Sequence, residues 1–178
     1  MTPTLREAQA PDFAALVTWL PDARMTLRWA GPGVRFPFTD AELQRELWMD
    51  EARSFVRAAD DQVLAFGQFW PTLPGTVHLG RVIAAPGVRR QGHGRALSLA
   101  LINTAAADFG ARAVTVRIQR DDFPSRNLYS RLGFQEVPAE SDSRHLFMRH
   151  MIRRAAAAGG ADQAVADANQ GKVLPAAR

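Results

Sequence analysis

Val82-Ile-Ala-Ala-Pro-Gly-Val-Arg-Arg-Gln-Gly-His-Gly-Arg-Ala-Leu97 decides how this chain is read. An apolar, strand-like run meets a Pro-Gly turn, two arginines follow, and Gly92-x-Gly94 opens a long apolar-periodic segment. Glycines at a helix start leave backbone N–H groups uncovered, and those orphan donors add to the positive end of the helix dipole. Arg89, Arg90 and Arg95 put full charges beside them. A diphosphate is the expected guest. A dinucleotide fingerprint would need a third glycine where Leu97 stands. A nucleoside-triphosphate loop would need Gly-Lys-Ser/Thr, and the one lysine of the chain is Lys172. The bland alternative is a glycine-containing turn ahead of an ordinary helix.

Outward from this stretch, charge is distributed unevenly. Residues 1–61 carry ten acids against seven arginines, whereas no acid lies between Asp61 and Asp108. That acid-free interval contains Arg81, Arg89, Arg90 and Arg95, so it coincides with the phosphate loop. Nucleic-acid binding would want the formal net charge of +4 concentrated on one face, whereas it is segregated along the chain around this loop, which argues against nucleic acid as a partner. At 178 residues the chain fits one domain. The absence of cysteine excludes disulfides, thiolate-held zinc and a thiol acyl-enzyme. No apolar run approaches membrane-spanning length and no signal pattern opens the chain, so a soluble, cytoplasmic protein is expected.

Periodicity gives the elements. Asp12 to Leu20 reads as a helix, and Thr39-Asp-Ala-Glu42 as a capping box before another. Ser54–Ala58 and Val63–Trp70 form a hairpin around Ala59-Asp-Asp-Gln62, and Thr76–Ala84 is the strand feeding the loop. Gly94–Phe109 is a helix ended by Gly110, Val114–Ile118 a β-branched strand, and Pro124–Leu132 a short helix closed by Gly133. Phe134–Val137 and His145–Ile152 are the last strands. The strand–helix–strand unit from 76 to 118 is a right-handed parallel crossover, and the hairpins on either side are antiparallel. The expected fold is α+β, an α/β sandwich with a mixed, mostly antiparallel central sheet, one parallel β-α-β crossover and helices on both faces. Residues 1–152 make a single domain, and the Ala/Gly-rich, aromatic-free segment 153–178 reads as a poorly ordered tail.

Asn127-Leu-Tyr129-Ser-Arg-Leu-Gly133-Phe134 carries the only tyrosine of the chain. A phenol keeps its proton at neutral pH, with a reference pKa of about 10, so it can donate to a departing thiolate. The structural alternative is a core tyrosine ahead of a glycine cap. Taken together, Arg89-x-x-Gly92-x-Gly94 and Leu128-Tyr129-x-x-x-Gly133-Phe134 resemble the two signature segments of the GNAT superfamily of N-acetyltransferases. The resemblance covers residues 54–152 well and residues 1–53 by element order.

This resemblance implies transfer of an acetyl group from acetyl-CoA to a primary amine of a small molecule or peptide, by direct attack in a ternary complex and without a metal. It places Tyr129 near the CoA sulfur as general acid. It places the backbone of Ile83, Ala84 and Ala85 against the pantetheine, and the N–H groups of Gln91, Gly92, His93, Gly94 and Arg95 around the pyrophosphate, with Arg89 and Arg90 beside them. Family members often carry asparagine seven residues before the tyrosine; here that position is Asp122, with Asn127 nearby. An ionised aspartate only accepts hydrogen bonds, so the pantetheine contacts on this side differ from the family pattern.

The position where relatives place a strand carboxylate base is His78, a residue type suited to removing a proton near pH 7. A solvent-facing strand histidine is the alternative, and a water chain ending on Glu46 or Asp50 is the fallback for the base. His145 and His150 fall on the last strand with no partner legible in the sequence. Of the four tryptophans, most are expected in the core. Trp29 and Phe36 sit beside Gly and Pro, as on a surface loop, and the resemblance puts the first helices and their connection at the acceptor site. With Glu46 and Asp50 they would make an aromatic, acidic surface for a cationic amine. A catalytically silent acyl-CoA-binding module is the alternative function. The oligomeric state is expected to be a monomer or a homodimer.

Overall fold

Local signals lay down the elements in the expected order, with two additions. The computed structural model describes residues 2–49 and 51–152, and the stretch 153–178 lies outside the described residues. A first strand, β1 (Thr4–Glu7), and a second helix, α2 (Ala23–Ala30), join α1 (Asp12–Trp19) and α3 (Asp40–Glu46) ahead of the hairpin β2 (Arg53–Ala59) and β3 (Gln62–Leu73). Then come β4 (Thr76–Ala84), α4 (His93–Phe109), β5 (Ala113–Gln119), α5 (Phe123–Arg131), β6 (Gln135–Glu136) and β7 (His145–Met151). No described helix is long and apolar enough to cross a membrane.

The two unexpected elements depend on side-chain partners. β1 has one apolar residue, and it is held by pairing with β2 and by Arg6, whose guanidinium makes two hydrogen bonds to the buried Asp12 carboxylate at 2.7 and 2.8 Å. Burial alone would raise the Asp12 pKa; the bonds from Arg6 and the Gln9 amide hold it below its ordinary value. α2 starts where Asp22 Oδ1 accepts from the Met25 amide at 2.7 Å, an N-cap of the usual aspartate kind. Trp29 therefore lies on α2, not on a loop as expected. The capping box of α3 is present, with Thr39 N donating to Glu42 Oε2 at 2.8 Å and Glu42 N to Thr39 Oγ1 at 3.2 Å.

The seven strands run in the order β1-β2-β3-β4-β5-β7-β6, all antiparallel except β4–β5. The mixed sheet with its single parallel crossover is the architecture expected from the sequence. Period-two alternation sends side chains to two cores. One face, with Phe69, Leu79, Val114 and Met148, packs against Leu97, Leu101 and Ile102 of α4 and Tyr129 of α5. The other, with Val56, Val63 and Phe66, packs against Phe13 and Leu16 of α1 and Leu43 of α3. Trp19 is buried in this second core, but Trp48 is 77% exposed, contrary to the core expected for most tryptophans.

The sheet is not continuous. β4 and β5 pair only at Thr76–Ala113, Val77–Val114 and His78–Thr115, although β4 runs on to Ala84 and β5 to Gln119. An irregularity lies on the other side of β4. Phe66 opposes Ile83 and Gln68 opposes Gly80, so Gly67 alone faces both Arg81 and Val82. That extra residue is a bulge, and Arg81 takes a left-handed φ of 54° within it. A bulge bends its strand, and the pairing of β4 with β5 ends at His78, three residues before Arg81. Gly80 is required here: a Cβ would lie 2.6 Å from Trp70 Cη2 and 3.1 Å from Cζ3. Gly80→Ala is expected to lower stability by about 1–3 kcal/mol, the usual cost of overpacking, measured by urea denaturation. A change below about 0.5 kcal/mol, as at an ordinary surface site, would mean that Trp70 moves aside freely.

Candidate active site

The split between β4 and β5 opens beside the N-terminus of α4, and that terminus is uncapped. Ala96 N is the first amide to bond back, to Gly92 O at 2.9 Å. The amides of Gly92, His93, Gly94 and Arg95 have no partner among the described residues, whereas the Gln91 amide, expected with them, is given to Val88 O at 3.4 Å. Arg90 and Gly92 take φ values of 64° and 88°, which turn successive N–H groups to one side. No acid lies in the first turn of α4, and Arg89, Arg90 and Arg95 are exposed around it. A Cβ built on Gly92 or Gly94 meets nothing within 4 Å. Four free donors, three cations and open space above them fit a diphosphate. Along the split, Ile83 and Ala84 are half-buried and Ala85 is buried, with the Ala85 amide given to Leu64 O at 2.9 Å. The β4 edge facing β5 past His78 lacks a strand partner, which suits peptide-like amides.

Tyr129 lies in the core on the α4–α5 face of the sheet. Its side chain is buried, edge-on to Phe134 at 5.2 Å. Burial pushes the phenol above its ordinary value, the Asp122 charge adds to this, and the adjacent Ser98 hydroxyl opposes it. Ser98 Oγ is itself fully buried without a hydrogen bond of normal geometry. A phenol held neutral this firmly is a proton donor at any physiological pH. Asp122 is spent locally as the N-cap of α5, accepting from Ser125 N at 3.1 Å and Ser125 Oγ at 2.8 Å. Asn127 is exposed on α5.

His78 faces the opposite side of the sheet, at the last paired position before the split. It is tilted against Trp70, with ring centroids 4.9 Å apart, and Phe147 lies beyond at 6.3 Å. Thr115 Oγ1 points toward Val77 O at 3.4 Å, so His78 Nδ1, 2.9 Å from that oxygen, is assigned as the donor and Nε2 keeps the lone pair. Burial lowers the imidazole pKa to about 4, with the Arg117 charge adding to the effect. The residue is thus neutral but weakly basic, not poised near pH 7 as its type alone suggests.

The expected acceptor residues have other partners. Glu46 accepts the Arg35 amide at 2.9 Å and pins the loop before α3. Trp29 packs on Phe66, with ring centroids 6.0 Å apart, and its Nε1 is buried without a partner. Phe36 is 39% exposed and stacks edge-on against Phe38. Asp50 lies outside the described residues. Sequence reading did not single out Arg81, Gln68, Trp70, Thr115 or Ser98. One signal pointed to Arg81: an isolated glycine inside a strand pattern marks a bulge, and Gly80 is such a residue.

Residues 19–134 match the model of the acetyltransferase (GNAT) family. Among solved structures, the chain is similar to the ribosomal-protein-S18-alanine N-acetyltransferase from Escherichia coli, at 18% identity over 89% of this chain and 99% of that one, with a TM-score of 0.64. It is similar to the PaiA N-acetyltransferase from Thermoplasma acidophilum in complex with coenzyme A, at 16% identity over 85% and 100%, with a TM-score of 0.66. Spermidine N-acetyltransferase from Vibrio cholerae, in complex with CoA and spermine, matches at 13% identity over 84% and 95%, with a TM-score of 0.70. At these identities the likeness is one of fold.

The depressed His78 pKa has a measurable consequence. Between about pH 6.5 and 4 the unfolded chain binds a proton that the folded protein refuses. Stability is therefore expected to fall as pH drops through this window, by on the order of 3 kcal/mol. His78→Gln lacks this share, and urea denaturation at pH 7 and near pH 4 reads the difference. Identical pH profiles for the two proteins would assign the sensitivity to another group.

Proposed function

The chain belongs to the GNAT family of acetyltransferases, and on that premise we propose that it moves an acetyl group from acetyl-CoA to a primary amine by direct attack. The observation that carries this reading is the split in the sheet. It lies beside an uncapped helix start and leaves a strand edge unpaired, and the Tyr129 phenol is buried in the core on one face of the same sheet. Gly92–Arg95 hold the diphosphate through their free amides, Arg89 and Arg90 neutralise it, and the backbone from Ile83 to Ala85 lies along the pantetheine. The thioester then lies in the gap, where both faces of the sheet reach it. A single domain over residues 1–152 is part of the proposal.

The two faces divide the proton work. On one, Tyr129 donates to the thiolate as it leaves. On the other, the amine approaches past His78. An alkylammonium with a pKa near 10.4 loses its proton more cheaply to water at pH 7 than to an imidazole near 4. Solvent therefore supplies the free amine. His78 Nε2 accepts a hydrogen bond from it, and takes a proton only once the forming C–N bond has made that nitrogen acidic. This division favours a rate that rises with pH as the acceptor deprotonates. The absence of cysteine fits the direct route, since no thiol is present to carry an acyl intermediate.

Two substitutions test the assignment. Gly94→Trp adds bulk where a Cβ meets open space, so the fold should stand while the thermal shift produced by CoA disappears. A shift that survives would move the diphosphate off this loop. Tyr129→Phe keeps the ring and removes one proton donor, so CoA affinity should hold while turnover falls by about 10²–10⁴-fold. Turnover within a factor of about two of wild type, far below the usual loss of a general acid, would place the acid elsewhere. CoA binding with no acetyl transfer to any amine would leave the silent binding module.

A further inference from the structure

Arg81 does something that neither the fold nor the proposed chemistry explains. It sits in the bulge of β4, in a left-handed backbone conformation, on the same face as Trp70 and His78. Its guanidinium carbon lies 5.7 Å from the Trp70 ring centroid, and the same ring packs against His78 at 4.9 Å. The group is half-buried, and burial lowers its pKa with no acid among the described residues to counter it. Other arginines around this face are neutralised: Arg28 by Asp121, Arg117 by Asp142, Arg149 by Glu140. Arg81 instead donates twice from Nη1, to Leu47 O at 3.1 Å and to Gln68 Oε1 at 2.7 Å.

That choice of atoms matters. Gln68 is 2% exposed and held in turn by Leu47 O at 3.1 Å and Ser54 Oγ at 2.7 Å, so the guanidinium is fixed by a buried network. Nη1 is fully used. Nε and Nη2, the side-on edge that binds a carboxylate through two parallel hydrogen bonds, have no protein partner among the described residues. The fully buried, unpaired side-chain atoms among the described residues are Trp29 Nε1 and Ser98 Oγ, and neither nitrogen of the Arg81 edge is among them. A desolvated cation, oriented by neutral groups and presenting its fork, is built for an anion that arrives from outside.

We propose that Arg81 is a specificity-determining residue that binds a carboxylate on the acceptor, so that the substrate is an amino acid or a related amine bearing an acid group. The proposal rests on the acetyl-transfer reading for the amine and adds the anionic group to it. It reverses the charge expected from the acidic N-terminal third. Glu42 closes a capping box and Glu46 pins the Arg35 amide, so each carboxylate has a structural task of its own. Arg81 and His78 are three residues apart on one strand, roughly 10 Å along it. The carboxylate and the amine of the acceptor are therefore separated by a spacer, as in an ω-amino acid or a short peptide.

Matched acceptor pairs test this with the full chain. β-Alanine against β-alaninamide, 4-aminobutyrate against its amide, and glycylglycine against glycylglycinamide differ only in the acid. Each is titrated by calorimetry into the CoA-saturated protein, and CoA release from acetyl-CoA is followed separately. The acid of at least one pair should bind about 10- to 100-fold more tightly than its amide. Arg81→Gln should erase the preference through KM, and Arg81→Lys should restore only part of it. Should Arg81→Gln fail to fold, the wild-type pairs and Arg81→Lys still decide. Equal binding of acid and amide, or none by either, overturns the proposal, as does a preference confined to phosphoethanolamine over ethanolamine. Acid-selective binding without CoA release would sink the transfer reading and leave Arg81 in place. Turnover of acids and amides alike would do the reverse.

Discussion

The partial pairing of β4 with β5 is the constraint on which the rest depends. Three residue pairs are enough to fix a parallel crossover, and the bulge at Arg81 and Val82 falls within the part of β4 that β5 leaves unpaired. A sheet paired to its end would satisfy its backbone internally and leave no room between the strands. Here the inner edge of β4 keeps unspent donors and acceptors in the middle of a domain. Buried backbone groups without partners are costly, so such an edge persists only where something else meets them. The same strand carries the chain into the turn before α4, which sets the free amides of the helix beside the mouth of the split.

The two helix layers then divide the labour by face. α4 and α5 cover one side with an apolar core that includes Leu97, Leu101 and Tyr129. The phenol owes its raised pKa to that core. The other side is covered by α1, α2 and α3 over the β1–β4 half. Beyond them lie His78, Trp70, Thr115 and Phe147, a band of aromatic and polar groups next to the gap. Burial acts in opposite directions on the two titrating groups. It keeps the tyrosine protonated and the histidine deprotonated, because the charged form of each is the one that the interior disfavours.

Desolvation also separates Arg81 from its neighbours. An exposed arginine beside an exposed acid contributes little and carries little information. A half-buried guanidinium oriented by Gln68 and Leu47 is different, since the network that holds it leaves a defined edge unpaired. Gly80 and Trp70 complete the arrangement. The missing Cβ leaves room for the indole against both imidazole and guanidinium, so a glycine that weakens a strand in isolation is what shapes this face.

The sequence by itself determined the elements whose signals are local. The hairpin, the loop strand and α4, ended by Gly110, follow from period, turn residues and caps, and the glycine and arginine spacing marks the uncapped start of α4. β1 and α2 were not legible, because one rests on pairing with β2 and on the Arg6–Asp12 pair, and the other is a short helix opened by the Asp22 cap. Residue type suggested a histidine active near neutral pH and a cation-binding acidic face. Tertiary structure decided otherwise for the first by burying His78 against Trp70, and it committed Glu42 and Glu46 to backbone amides. A motif records which groups are near in sequence. Proton affinity and free valence depend on desolvation and on partners brought from other strands, as with Gln68 and Arg81, and those exist only once the sheet has closed around them.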